Sequence, residues 1–266
     1  MTLHWVIQNN LHEEQGYDVL VETVKRFELP HTFVKVIPFS HELVSEDPLP
    51  DPPGLKIVMG SISLGKAAEK LGWLPGAFIN SNFHFREWRK HYGQHLLNDD
   101  ATICKFKDVK WDEDWGSFFI RPCLDDKSFS GQILSWKDYD SWRHKVVDLQ
   151  EHDTSFYCLT PETEVCYGKP KEIYQECRFF VVDGRIVTGS QYKIGRRVIS
   201  NEVVPPKLQE LAQTMVDLWQ PHRAFALDIA DTPNGFKVIE IGCLNSCGFY
   251  AANVQKLVLA LNEMEF

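Results

Sequence analysis

Two carboxylates near the C-terminus are the first residues to suggest chemistry. The stretch FALDIADTPNGFKVIEIGCLNSCGFY, residues 225–250, holds two apolar runs, AFALDIA and FKVIEIG, with one acid at the centre of each, Asp228 and Glu240. An ionised carboxylate in an apolar strand is costly unless a cation compensates it. Side chains alternate faces along a strand, so the loop between the runs decides whether the two acids meet. A five-residue loop over 231–235 pairs Ala230 with Phe236, sets Asp228 opposite Val238 and leaves Glu240 as its diagonal neighbour on the same face. A loop one residue shorter or longer separates the acids. With Asn245 just beyond the second run, the set is all oxygen, which suits Mg²⁺ carried with nucleotide phosphates. The competing reading is a pair of half-exposed strand acids, solvated or paired with Lys and Arg.

A second cluster lies upstream. ECRFFVV-DG-RIVTGSQYK reads as a hairpin with the two-residue Asp183-Gly184 turn of a type I′ connection. Regular pairing sets Arg178 opposite Gly189 and Glu176 opposite Gln191, so Glu176, Arg178, Gln191 and Lys193 form one polar strip, with Cys177, Phe179 and Val181 on the other face. Such a strip can bind anions or simply face solvent. Further cations are Lys105 in an apolar strand, Arg121 at the end of an aromatic strand, and Lys127 in the loop before Gly131. Fixed cations with bidentate Arg geometry suit a polyphosphate, although Lys105 can also snorkel to the surface. GSISLGKA, residues 60–67, has the GxxxxGK spacing of a phosphate-binding loop, but Ala67 stands where a hydroxyl must hold Mg²⁺. It is a near miss centred on Lys66.

These residues need elements to hold them. The first hundred residues alternate strand and helix patterns: HWVIQ, GYDVLVETVKRF, TFVKVIPF, LKIVMG and SLGKAAEKLGW. That alternation predicts a small α/β layer. From residue 101 onward short strands dominate (ATICKFKDV, SFFIRPC, GQILSW, TEVCYG, then the hairpin), with helices over residues 137–150, PKLQELAQTMVDLW and AANVQKLVLALNEMEF. The second half reads as α+β and mostly antiparallel.

Composition narrows the class. The 28 basic and 37 acidic side chains give a formal charge of −9, against nonspecific binding to nucleic acid or an anionic membrane. No apolar run approaches the roughly 20 residues that span a bilayer, and the first residues lack the pattern of a secretory signal. Seven scattered cysteines without a CxxC pair read as reduced thiols of a cytoplasmic protein, and the histidines show no zinc-ligand spacing.

In order, these pieces resemble the ATP-grasp superfamily, closest to the small clade named for an arginine and two lysines. The resemblance covers essentially the whole chain. Its most specific stretches are EIYQECRFFVVDGRIVTGSQY and ALDIADTPNGFKVIEIGCLNSCGFYAANVQK within residues 172–256, with FFIRPCLDDKSFSG as an independent match. It implies an α+β fold in which two lobes with antiparallel sheets clasp ATP, preceded by a small α/β N-terminal domain. The expected boundaries are 1–100 for the N-terminal domain and 101–266 for the ATP-grasp domain, with lobes over 101–164 and 165–266.

The resemblance also assigns roles. Asp228 and Glu240, with Asn245 as a further oxygen ligand, would bind Mg²⁺. Lys105, Arg121 and Lys127 would contact the phosphates. Val165, Cys166 and Tyr167 would form the hinge whose backbone reads the adenine edge, with Glu172 at the ribose. Arg178 and Lys193 would face the γ-phosphate or the acyl group. One departure is Gly242, where many members carry Asn two residues after the metal-binding Glu.

The implied activity is ATP- and Mg²⁺-dependent ligation of a carboxylate to an amine through an acylphosphate, on a small carboxylate, an amine or a peptide. Two alternatives stand beside it. One is a nucleotide-binding module without ligase turnover, which Gly242 favours. The other is a phosphotransferase or a phosphate-loop NTPase built on Lys66. Residues 40–54 and 195–206, with Arg196 and Arg197, are the loops expected to select the substrate. Oligomeric state is not legible in the sequence.

Overall fold

The computed structural model describes residues 3–11, 16–37, 42–49, 54–149 and 159–266. The chain forms two compact units, Met1–Asn82 with Ile173–Phe266 and, separately, Phe83–Glu172.

The chain opens with β1 (His4–Gln8), α1 (Tyr17–Arg26), β2 (His31–Val36), β3 (Leu43–Val44), β4 (Leu55–Met59), α2 (Ile62–Lys70) and β5 (Leu74–Gly76). The sheet order is β3-β2-β1-β4-β5, parallel except for the β2–β3 pair. A parallel strand inside such a layer is covered on both faces, so it reads as a continuous apolar run. In β1, Trp5 and Ile7 enter one core cluster and Val6 enters another.

The second unit carries α3 (Phe85–Tyr92), β6 (Thr102–Lys105), β7 (Phe118–Pro122), β8 (Gln132–Leu134), α4 (Trp136–Leu149) and β9 (Glu164–Gly168). Its antiparallel sheet has the order β6-β9-β7-β8. One face packs an aromatic core of Phe106, Phe118, Tyr139 and Tyr167 with Ile120 and Val165. Edge-to-face ring contacts such as Phe106–Tyr139 and Phe118–Tyr139, both at 5.5 Å, give that core its geometry. Helix α3 was not expected. Its stripe of Phe85, Trp88 and Tyr92 is buried, and the His84 ring accepts from the Arg86 N–H at its start.

The remainder adds β10 (Gln175–Val182), β11 (Arg185–Ile194), β12 (Arg197–Asn201), α5 (Pro206–Leu218), β13 (Ala224–Thr232), β14 (Gly235–Gly242) and α6 (Val254–Asn262). These strands form an antiparallel sheet ordered β12-β11-β10-β13-β14. The Asp183-Gly184 turn has positive φ at both residues, 46° and 76°, as a type I′ turn requires.

Phe180, Val182 and Ala226 of this sheet and Leu257, Val258 and Leu261 of α6 share one core with Trp5, Ile7 and Leu20. The N-terminal layer and the C-terminal sheet are therefore one unit. β9, placed above at the start of a second lobe, is paired on both sides with β6 and β7, inside the unit Phe83–Glu172.

Candidate active site

The two acids meet, by a route different from the expected one. The loop between β13 and β14 is tighter than five residues, because Thr232 pairs with Gly235 and Asp231 with Phe236. Continued regularly, that register would set Asp228 opposite Ile239 and turn Glu240 to the other face. A bulge between Asp228 and Ile229 shifts it by one, so Asp228 stands directly across from Glu240.

Bulges also revise the hairpin. Breaks in register between Phe180 and Val181 and between Glu176 and Cys177 set Arg178 opposite Ser190, Cys177 opposite Gln191, and Glu176 opposite Lys193. Gln191 therefore leaves the expected polar strip and pairs with Gln175, its Nε2 donating to the Gln175 side-chain oxygen at 2.5 Å. Its place beside Arg178 is taken by Tyr192, which the sequence reading missed. Regular pairing leaves it off the face of Glu176 and Arg178, and the bulges turn its hydroxyl towards the acids.

The resulting cluster is dense. The Arg178 guanidinium grips Asp228 with two bonds, Nε to Oδ1 and Nη2 to Oδ2, both 2.8 Å. β10 and β13 pair these two residues directly, so the fork needs no long reach. The third guanidinium nitrogen donates to the Gly248 carbonyl at 3.2 Å. The Tyr192 hydroxyl lies 2.7 Å from Glu176 Oε2 and 3.2 Å from Asp228 Oδ2, and Lys193 Nζ donates to Glu176 Oε1 at 2.5 Å. Tyr192 stacks on Tyr250 with ring centres 4.7 Å apart, and the guanidinium lies over both rings.

Charge is held here out of water. Burial pushes the Asp228 carboxyl up, Arg178 pulls it back, and Glu240 and Glu176 add to the upward push. Burial works against the Arg178 charge, yet Asp228 holds its pKa well above the ordinary value. Burial, Asp228 and Glu176 all keep the Tyr192 phenol protonated, so it is available as a donor.

Asn245 follows β14 with its side chain buried. Its Oδ1 has no hydrogen-bond partner, while its amide nitrogen donates to the Ser61 carbonyl at 3.5 Å. A buried, unsatisfied carbonyl oxygen is rare and is suited to a cation. Asp228, Glu240 and Asn245 thus have the donor chemistry for Mg²⁺, with one qualification: both Asp228 oxygens are engaged by Arg178. No cluster of three or more His, Cys, Asp or Glu residues suited to a metal occurs among the described residues.

The candidates in the unit Phe83–Glu172 have their own setting. Arg121 is buried with its guanidinium 4.8 Å from the Trp88 ring centre. Lys105 ends β6 in an ion pair with Glu162 at 2.6 Å, which raises its pKa. Lys127 has a positive φ of 58° and pairs with the buried Asp125 carboxylate at 2.5 Å.

The three residues expected at the hinge lie in the central strand β9. Val165 pairs with both Cys104 and Pro122, Cys166 with Ile103 and Arg121, and Tyr167 with Thr102 and Ile120. A central strand spends most of its backbone donors and acceptors on its neighbours, so the backbone of these three residues is engaged within the sheet. Backbone beyond both ladders begins after Gly168, in the coil over 169–172 that ends at the exposed Glu172.

The GxxxxGK segment is a helix start of another kind. Ser61 caps α2 by accepting from Leu64 N, Gln8 Oε1 accepts from Ser61 N at 3.0 Å, and Ser246 Oγ accepts from Ile62 N at 3.2 Å. Those donors are occupied by protein groups, so no phosphate cradle is formed around Lys66. Arg196 and Arg197 are exposed, with Arg197 opening β12. Of the loop over 40–54 expected to select the substrate, residues 40, 41 and 50–53 lie outside the described residues, as do Cys158 and Gln150. No helix among the described residues is long and apolar enough to cross a membrane.

The fold has many relatives among solved structures. It is similar to D-cycloserine synthetase DcsG at TM-score 0.63 and 11% identity, covering 98% of this chain and 99% of that one. It is also similar to the macrocyclase MdnC from Microcystis aeruginosa, bound with the precursor peptide MdnA, at TM-score 0.62 and 10% identity over 100% of both chains. D-alanine–D-alanine ligase from Bacillus anthracis aligns at TM-score 0.59 and 13% identity over 98% of this chain and 92% of its own. Identities this low establish the shared fold alone. No curated protein matches the sequence. The model of one family, described as an ATP-grasp domain and numbered family 3 of the arginine-and-two-lysines clade, matches residues 28–261, and the chain belongs to that ATP-grasp family.

Proposed function

We propose that this protein is an ATP- and Mg²⁺-dependent ligase that joins a carboxylate to an amine through an acylphosphate, with an amino acid or peptide as substrate. The observation that carries the reading is the buried Asp228 directly across from the half-buried Glu240, with the buried and unsatisfied Asn245 oxygen, on an ATP-grasp fold. Names of proteins with similar folds agree with it: a D-alanine–D-alanine ligase complexed with ATP and a macrocyclase bound to a precursor peptide.

In this reading Asp228, Glu240 and Asn245 would hold Mg²⁺, which would supply charge neutralisation for the nucleotide phosphates. Arg178 and Lys193 stabilise the transferring phosphoryl group and the acyl oxygen through charge-assisted hydrogen bonds. Lys105, Arg121 and Lys127 bind the remaining phosphates, Glu172 the ribose, and the backbone over 169–172 the adenine edge. No protein nucleophile is needed, because catalysis consists of positioning and electrostatics. The carboxylate oxygen takes the γ-phosphoryl group of ATP and ADP leaves; the substrate amine then attacks the acyl carbon, the C–N bond forms, the C–O bond to phosphate breaks, and the amine proton leaves with inorganic phosphate.

Calorimetric titration of ATP and ADP, with and without Mg²⁺, is the test. Wild type and Lys66→Ala should bind nucleotide in a Mg²⁺-dependent manner, and Glu240→Ala should not. Loss of binding in Lys66→Ala with retention in Glu240→Ala would refute the assignment. The engagement of both Asp228 oxygens by Arg178 favours a second reading, a nucleotide-binding module without turnover. ADP release that no amine in a broad panel accelerates would select it.

A further inference from the structure

Arg178 occupies the cation seat on Asp228 in this structure, and we infer that a divalent metal displaces it, so that guanidinium and metal exchange on this carboxylate. The inference rests on the metal reading above and adds an order of events to it.

Three features point to exchange. First, the fork consumes both carboxylate oxygens at 2.8 Å, and Oδ2 also lies 3.2 Å from the Tyr192 hydroxyl. A metal held by the same buried carboxylate would sit against a guanidinium of like charge, which a water-poor site penalises strongly. Second, Arg178 has anchors that do not depend on Asp228. Its Nη1 donates to Gly248 O at 3.2 Å, and its guanidinium lies 5.7 Å and 5.3 Å from the Tyr192 and Tyr250 ring centres. Released from Asp228, it keeps a carbonyl and two aromatic faces, so it can tilt without losing every partner. Third, the segment that supplies two of those anchors is held in an unusual shape. Ser246 and Tyr250 both have left-handed φ, 53° and 51°, which residues with a side chain adopt only when their surroundings enforce it.

The exchange gives Arg178 two tasks in sequence. Before loading, it keeps a buried carboxylate from standing uncompensated. After loading, its fork is free for the phosphoryl group that arrives with the metal. Metal entry and delivery of the catalytic cation then become one event, and hydrolysis of nucleotide without metal is suppressed.

Mn²⁺ binding without nucleotide, read from the electron paramagnetic resonance signal of the free ion, tests the exchange. Arg178→Gln should bind Mn²⁺ at least about tenfold more tightly than wild type, and the gain should vanish in Arg178→Gln/Asp228→Asn. Arg178→Lys, which keeps a cation and loses the fork, should fall between. Equal or weaker affinity in Arg178→Gln, or a gain that survives Asp228→Asn, would overturn the inference. If circular dichroism shows Arg178→Gln unfolded, Arg178→Lys decides: a gain over wild type supports exchange and no gain refutes it. The nucleotide titration above fails separately. Nucleotide binding with no Mn²⁺ gain sinks the exchange alone, and a Mn²⁺ gain with no nucleotide binding sinks the ligase reading alone.

Discussion

Replacing Tyr192 with Phe removes one oxygen from the centre of the cluster and should cost this unit about 2 kcal/mol. The hydroxyl carries a single proton and has two carboxylates within reach, Glu176 at 2.7 Å and Asp228 at 3.2 Å. The shorter contact is the donated bond. A hydrogen bond to a charged group contributes about 1.5–3 kcal/mol net, and losing the donor leaves the acceptor to bear its desolvation. Glu176 keeps Lys193 at 2.5 Å, which moves the expectation to the lower half of that range. Packing is preserved, because Phe keeps the ring that stacks on Tyr250 at 4.7 Å and 11°. Native-state hydrogen exchange on peptides from β10 to β14 is the suitable assay, since it reads the opening free energy of this sheet without requiring both units to unfold together. A change below about 0.5 kcal/mol, the range of ordinary surface substitutions, would refute the argument: the hydroxyl would then be replaced by water, or Glu176 would need no donor.

Two further predictions rest on separate features. A Cβ on Gly189 would meet the Phe179 ring at 2.9 Å and the Arg178 carbonyl at 3.0 Å, so Gly189→Ala should overpack the β10–β11 pair and destabilise by about 1–3 kcal/mol, measured by denaturant unfolding. Burial lowers the pKa of His4, helped by Lys56, and of His222, helped by Arg223, below the ordinary 6.5. A folded pKa below the unfolded one means that the unfolded chain binds protons more readily, so this stability is full above about 6.5 and is lost as pH falls from there through the depressed values. Melting temperature should therefore decline on acidification below about 6.5, and His222→Asn should flatten that decline. An unchanged slope would contradict the assignment.

Much of the architecture could be read from residue patterns. Strand and helix periods locate β1, α1, β2, β4 and α2, and Asp183-Gly184 marks its turn because few other pairs accept positive φ twice. Carboxylates at the centres of apolar runs mark a site because charge is rarely placed in such a run without compensation. These signals are local, carried by residue type and by spacing within one element. The pairings were a different matter. Bulges beside Asp228, Glu176 and Phe180 decide which side chains share a face, and a bulge depends on what packs against both sides of a strand. Since one extra residue reverses every following side chain, regular counting brought Gln191 to the cluster and left Tyr192 out. The central position of β9, which engages the backbone of Val165, Cys166 and Tyr167, likewise depends on strands distant in sequence. Which chemistry is present follows from composition and order along the chain; which atoms touch follows from register, and register is set by long-range packing that no single segment contains.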